Sequence, residues 1–150
     1  MMIISQFSGL VAYQFMLGFV ATCGFALWFN VPREVLVRTC LFGGGAYVVR
    51  FVLLRMGESP AAAAFWAALF VGIAGYAQAR NARVPRVLLT VPGVIPLVPG
   101  VPAYDTIVSF FQGNALGGLQ NAVKATMIIA ALAGGLTAAR AVTMSSRPPV

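Results

Sequence analysis

The sequence predicts an all-α integral membrane protein with about five transmembrane helices, the fourth of which is broken by prolines. Three observations support this prediction. The chain is 60% hydrophobic and only 9% charged, with a mean hydropathy of +0.90, whereas a soluble domain usually carries about 25% charged residues. Long stretches without any charge recur along the chain, and most arginines fall between them. Lipid, rather than charged side chains, must therefore cover most of the surface.

The first three helices follow from these uncharged stretches. Residues 7–29 carry no charge and exceed the roughly 20 residues that a membrane crossing needs. Pro32 separates them from the second helix, residues 35–56, because proline disfavours helix in the residue before it. That helix holds consecutive glycines at 43–45, which in a membrane allow a neighbouring helix to approach closely. Residues 61–79 are again uncharged and predict the third helix.

The fourth helix covers residues 87–104 and extends to about residue 111, but it cannot be regular. Its prolines each remove a backbone hydrogen bond and push against the preceding turn; they are Pro92, Pro96, Pro99 and Pro102. Irregular backbone at membrane depth must face protein or a water-filled cavity, and transporters use such breaks to build substrate sites. We expect the break to line a cavity; the alternative is a proline-kinked helix that serves packing alone.

The remaining chain predicts a turn, a fifth helix and a tail. Residues 112–121 are rich in glycine and polar residues and predict a turn, and residues 124–141 predict the fifth helix. The third and fifth helices carry small residues at three- and four-residue spacing, which predicts packing faces for neighbouring helices or a second subunit. We expect one transmembrane domain, residues 1–143, followed by a cytoplasmic tail, residues 144–150.

The basic residues predict the orientation in the membrane. With five spans, the segments after the first, third and fifth helices lie on one side and hold most of the basic residues, which are Arg33, Arg38, Arg80, Arg83, Arg86, Arg140 and Arg147. Basic loops stay in the cytoplasm, so we expect the N-terminus outside and the C-terminus in the cytoplasm. The uncharged N-terminus lacks the basic start of a secretory signal and its apolar run is too long, so we expect it to remain as a helix.

Several classes of function are excluded by composition. The net charge is +7, but the basic residues lie between apolar runs and do not form one basic face. This distribution argues against nucleic-acid binding. The chain has no histidine and only three scattered carboxylates, so no acid–base pair is assignable. It also lacks the G-x-x-x-x-G-K-[ST] loop of nucleotide-hydrolysing proteins, and we expect no enzyme activity, metal or cofactor. Cys23 and Cys40 have no metal-ligand spacing, and we expect them to act as two small buried hydrophobes.

Arg50 and Asp105 are the ionisable residues nearest the membrane interior. Such residues are costly in lipid and usually face a pathway or a partner. Both are expected in the outer half of the membrane, where we hypothesise that they lie close together, with Arg50 binding an anionic substrate and Asp105 serving a coupling proton or gating. The alternatives are a structural ion pair or independent snorkelling to the headgroups. Tyr104 is either a hydrogen-bond donor to substrate or an interfacial aromatic residue.

Two segments resemble the threonine/serine exporter family. They are residues 24–32, Gly-Phe-Ala-Leu-Trp-Phe-Asn-Val-Pro, and residues 95–104, Ile-Pro-Leu-Val-Pro-Gly-Val-Pro-Ala-Tyr. The resemblance runs from about residue 18 through the fifth helix, and it is most similar to the small split subunit of the YjjB type. The family's motif positions fall on Asn30 and Pro32 in the first segment and on Pro99, Gly100 and Tyr104 in the second.

The resemblance implies a secondary transporter subunit in the bacterial inner membrane. A YjjB-type subunit is expected to act with a YjjP-type membrane partner in exporting succinate, whereas other family members export threonine and serine. An acidic residue after the tyrosine is not a hallmark of the family, which weakens the general role of Asp105. A non-transporting membrane scaffold is the remaining alternative, although a scaffold needs neither Arg50 at depth nor an unwound segment.

Overall fold

The computed structural model describes the backbone of residues 2–145 and the side chains of residues 7–144. In this part of the chain there are helices and turns and no strand. The helices are α1 (Met2–Trp28), α2 (Arg33–Arg55), α3 (Pro60–Ala82), α4 (Val87–Val94), a one-turn 3-10 helix (Ile95–Leu97), α5 (Gly100–Phe111) and α6 (Ala115–Ser145). Four helices are long and apolar enough to cross a membrane, and α4 with α5 makes a fifth span if the bent pair crosses together. The predicted fold class is confirmed.

The three consecutive glycines of α2 let it pack closely on both of its neighbours. A side chain at Gly43 would collide with Thr22 of α1, and one at Gly44 would come within 3.0 Å of the backbone oxygen of Phe15. Gly45 faces the other way, towards the ring of Phe70 on α3. The predicted role of residues 43–45 in close helix approach is therefore confirmed.

The close contact between α1 and α2 also joins the two cysteines. Cys23 and Cys40 form a disulfide, with their Cα atoms 5.2 Å apart, and Cys40 is fully buried. The prediction of two independent small hydrophobes was wrong, because the sequence does not show that residues 17 apart face each other across this pair of helices. The disulfide fixes α1 to α2 about one turn from Gly43.

Helices α3 and α6 run parallel and pack through their small residues. A side chain at Gly72 would collide with Ala139, and Gly135 lies against Ala68 and the backbone of Phe65. The small-residue faces of α3 and α6 therefore pack against neighbouring helices of the same chain. They are not left for a second subunit, which was the other possibility that the sequence analysis gave. At one end of the bundle, the turn after α1 and the loop after α3 place Arg33 and Arg83. We call this the basic end.

Helix α6 starts earlier than predicted. Residues 115–121 were expected in a turn, but α6 begins at Ala115. Asn114 caps it, since its Oδ1 accepts a hydrogen bond from the Gly117 backbone nitrogen at 2.9 Å. Gly113, with φ of +76°, ends α5 directly before this cap. The helix runs on through residue 145, and the rest of the predicted tail, residues 146–150, lies outside the described residues.

Candidate functional site

The break in the fourth span lies between the 3-10 helix and α5. Val98 has extended backbone angles, and Pro99 has φ of −77° and ψ of 67°, which is the geometry of an inverse γ-turn. The Gly100 nitrogen accordingly donates to the Val98 oxygen at 2.8 Å. The segments on either side of this turn differ in direction by 47°. The predicted break is confirmed and is centred on Pro99.

Local turns take up carbonyl groups that the prolines leave without their usual helical donors. Pro99 and Pro102 have no N–H to offer to the carbonyls of Ile95 and Val98. The Ile95 oxygen instead accepts from the Val98 nitrogen at 3.1 Å, and the Val98 oxygen accepts from Gly100. The break therefore satisfies these two carbonyls internally and does not need a cavity to do so.

The motif residues of the break differ in their surroundings. Pro99 is fully buried, Pro96 is half-buried and Gly100 is exposed. A side chain at Gly100 would meet no atom within 4 Å. Tyr104, one turn into α5, is 66% exposed. Pro99 thus holds the turn in the bundle, while Gly100 and Tyr104 lie on the outside of this chain.

Arg50 lies in a cavity between α1 and α2. The cavity measures about 180 Å³ and is lined by Gln14, Tyr47, Arg50, Phe51 and Leu54. The Arg50 Nε atom is buried and has no hydrogen-bond partner among the residues that the structure describes. A buried donor without a partner costs free energy, and more so on a charged group. An anionic or polar ligand entering this cavity would remove that cost.

Arg50 and Asp105 do not form the hypothesised pair. Among the described residues no ion pair joins them: Arg50 lies between α1 and α2, whereas the half-buried Asp105 lies on α5, which packs mainly along α6. The other carboxylates, Glu34 and Glu58, lie at the start of α2 and in the turn after it. None of the three lines the Arg50 cavity, so its guanidinium has no counter-ion from the described chain.

Asn30 has a structural role at the basic end. It adopts φ of +54° directly after α1, where its nitrogen donates to the Leu27 oxygen and the Val31 nitrogen donates to the Ala26 oxygen, both at 3.0 Å. These two bonds form a Schellman motif, in which asparagine tolerates the left-handed conformation. Pro32 follows as the residue before α2. This geometry explains the Asn-x-Pro sequence as a tight connection between the two helices.

Sequence reasoning missed Gln14 and Tyr47 as neighbours of Arg50. Tyr47 stands three residues before Arg50 on α2 and therefore shares its helix face. Gln14 is a polar side chain in the middle of an uncharged run. The polarity of Gln14, together with the antiparallel arrangement of α1 and α2, could have identified it as a neighbour of Arg50.

An all-helical bundle with apolar spans, a buried arginine nitrogen and a broken span is typical of transport proteins. A protein-family model described as "Threonine/Serine exporter, ThrE" matches residues 14–142. The chain belongs to this family of membrane exporters, which confirms the resemblance at family level. No solved structure matches the chain.

Proposed function

We propose that this chain is the YjjB-type subunit of a secondary exporter that carries a succinate-like dicarboxylate out of the cell. It acts with a YjjP-type partner subunit in the bacterial inner membrane, with its N-terminus outside and its C-terminus in the cytoplasm. It needs no enzyme activity of its own. The observation that carries the proposal is the unpaired guanidinium of Arg50 in its cavity between α1 and α2.

The Arg50 cavity suits a carboxylate group. A guanidinium binds a carboxylate through two parallel charge-assisted hydrogen bonds, and Gln14 and Tyr47 offer further donors beside it. The volume of about 180 Å³ holds one small acid group with little space to spare. A charged residue within a membrane span that had no binding role would be costly, which disfavours the scaffold alternative.

The helical hairpin formed by α5 and the first part of α6 supports a partner subunit. Helix α5 has no buried residue and packs mainly on α6. Since Gly135 lies beside Ala68, α6 begins 12 residues further back than α3 does, which places its start roughly 18 Å beyond the start of α3. A second subunit seated here would complete the bundle around α5.

The remaining candidate residues belong to a pathway shared with that partner. In the proposal, Pro96, Pro99 and Gly100 shape the break, and Tyr104 donates a hydrogen bond to the passing substrate. Asp105 serves a coupling proton or gating. Asn30 contributes by fixing the turn between α1 and α2 at the basic end.

Threonine or serine is the second candidate substrate. It is favoured by the description of the family whose model matches residues 14–142, and an amino acid offers Arg50 the same carboxylate group. A dicarboxylate has a second negative charge and an amino acid has a positive one, so electrostatics beyond Arg50 must discriminate between them. A direct comparison of the two solutes separates these candidates.

The test measures efflux of succinate and of threonine from cells that lack their own exporters. The chain is expressed alone, the YjjP-type partner alone, and then both together, with membrane insertion checked by immunoblot. Succinate efflux only with both proteins is the expected result. Efflux of threonine instead would select the second candidate, and efflux by the chain alone would contradict the two-subunit proposal. No efflux with both proteins inserted would favour the scaffold.

A further inference from the structure

A second cavity with unpaired arginines lies between α3, α4 and α6, towards the basic end. It measures about 360 Å³ and is lined by two arginines, two threonines and apolar residues: Gly72, Arg86, Val87, Thr90, Leu136, Ala139, Arg140 and Thr143. No carboxylate of the described residues lines it. It shares no residue with the Arg50 cavity, and neither sequence motif of the family includes its residues.

The two arginines reach the cavity from different elements. Arg86 directly precedes α4, is half-buried, and its guanidinium lies 5.7 Å from the centre of the Tyr76 ring. A cation over an aromatic face is held in place by the ring's negative potential. Arg140 follows Ala139, which packs on Gly72. Since Gly72 is ten residues before the end of α3, Arg140 lies roughly 15 Å along the bundle axis from that end.

The charges of this cavity are not balanced within the described chain. Neither Arg86 nor Arg140 forms an ion pair with any described residue. The hydroxyl groups of Thr90 and Thr143 donate to backbone oxygens of their own helices, so their oxygens remain available as acceptors only. Two guanidinium groups around one cavity repel each other, and an anion between them converts this repulsion into attraction.

We propose that this cavity is a second anion-binding site, which holds one carboxylate or phosphate group between Arg86 and Arg140. Guanidinium groups bind both kinds of oxyanion through paired hydrogen bonds. Basic cavities between transmembrane helices also hold the headgroups of anionic lipids. The anion therefore comes either from a small soluble acid or from the phosphate of a membrane lipid. The site does not depend on the substrate assigned to Arg50.

The cavity is independent of the Arg50 cavity along the bundle axis. Gly45 of α2 faces Phe70 of α3. Arg50 lies five residues after Gly45, in the direction that leads away from the basic end. Gly75 faces Thr90, which lines the second cavity, and Gly75 lies five residues after Phe70 in the direction of the basic end. The two sites are thus separated by roughly 15 Å in depth, and one anion cannot serve both.

The experiment uses the full chain with Arg50→Gln, so that the first cavity does not contribute, and repeats each measurement with the wild-type chain. Inorganic phosphate and succinate are titrated by calorimetry in a zwitterionic detergent. Retention of phosphatidylglycerol, compared with phosphatidylcholine, is measured by native mass spectrometry. Binding of a soluble anion with no lipid preference identifies a soluble ligand, and preferential retention of phosphatidylglycerol identifies a lipid headgroup.

The variants separate this site from the general positive charge of the basic end. Arg86→Gln with Arg140→Gln is expected to weaken binding by about tenfold or more, whereas Arg80→Gln, an exposed arginine outside the cavity, changes it less than about twofold. Val87→Trp keeps both arginines but fills the cavity from an exposed lining position, and it is expected to weaken binding as well. Absence of binding by every probe, or unchanged binding in the double variant and in Val87→Trp, overturns the proposal.

Discussion

The two halves of the broken span lie in opposite surroundings. In α4 and the 3-10 helix, Leu89, Pro92 and Leu97 are fully buried, and Gly93 packs against Val71 of α3. In α5 no residue is buried. Both halves are apolar and both contain prolines, so composition alone does not separate them.

The difference shows where this bundle is complete and where it is open. Lipid is as apolar as a protein interior, so hydropathy does not distinguish a packed helix from a lipid-facing or partner-facing one. Shape does: small residues on α3, such as Gly72 and Gly75, receive α6 and α4 respectively. Within the described part of the chain, helix α5 packs mainly on α6. The α4 half of the span therefore supports the fold, and the α5 half is available for function.

The largest expected contrast comes from matched glycine substitutions in the two halves. A side chain at Gly93 would come within 2.9 Å of the Val71 Cγ1 atom, whereas one at Gly100 meets open space. Gly93→Leu is therefore expected to destabilise the chain by about 3 kcal/mol through overpacking, and Gly100→Leu by much less. Thermal unfolding of the two purified variants in detergent checks this. Equal losses would contradict the difference between the halves.

A somewhat smaller contrast is expected from removing side chains. Leu89 is fully buried between the helices, and Ile107 of α5 is 57% exposed. Leu89→Ala is expected to cost about 2 kcal/mol, because its packing contacts are lost without collapse of the site. Ile107→Ala is expected to change stability by less than about 0.5 kcal/mol. Thermal unfolding checks this prediction as well. A larger loss of stability for Ile107→Ala than for Leu89→Ala would mean that the packed core lies in the α5 half, contrary to the structure.

The smallest expected effect concerns the connection between α5 and α6. Asn114→Ala removes the side-chain acceptor for the Gly117 nitrogen and is expected to destabilise the chain by about 1 kcal/mol. Asn114→Asp keeps the acceptor and serves as the matched control. If both variants unfold like the wild-type chain, the cap does not determine where α6 begins.

The sequence predicted the helices and the break because these depend on local features. Runs without charge, and prolines that remove backbone donors, act within a few residues. The early start of α6 was not predicted. Gly113 and Asn114 are recognisable helix-end and cap residues, but the glycine-rich and polar composition of residues 112–121 also favours a turn.

The candidate site was predicted only in part, since its geometry depends on how helices face each other. Arg50 was identified from its cost in the membrane, but Gln14 lies in another helix, and its proximity follows from the register of α1 on α2. The disulfide between Cys23 and Cys40 was missed for the same reason. The expected pairing of Arg50 with Asp105 failed because the bend at Pro99 directs α5 onto α6.

The central claim is that Arg50 binds the carboxylate of the exported solute, and efflux by an Arg50→Gln chain tests it most directly. Cells that express this variant with the YjjP-type partner are compared with cells that express Arg38→Gln, an exposed arginine on the same helix. We expect succinate efflux to fall by about 100-fold for Arg50→Gln, in line with the loss of a charge-assisted carboxylate contact, and to change little for Arg38→Gln. Full efflux by an inserted Arg50→Gln chain would contradict the assignment of this cavity as the substrate site.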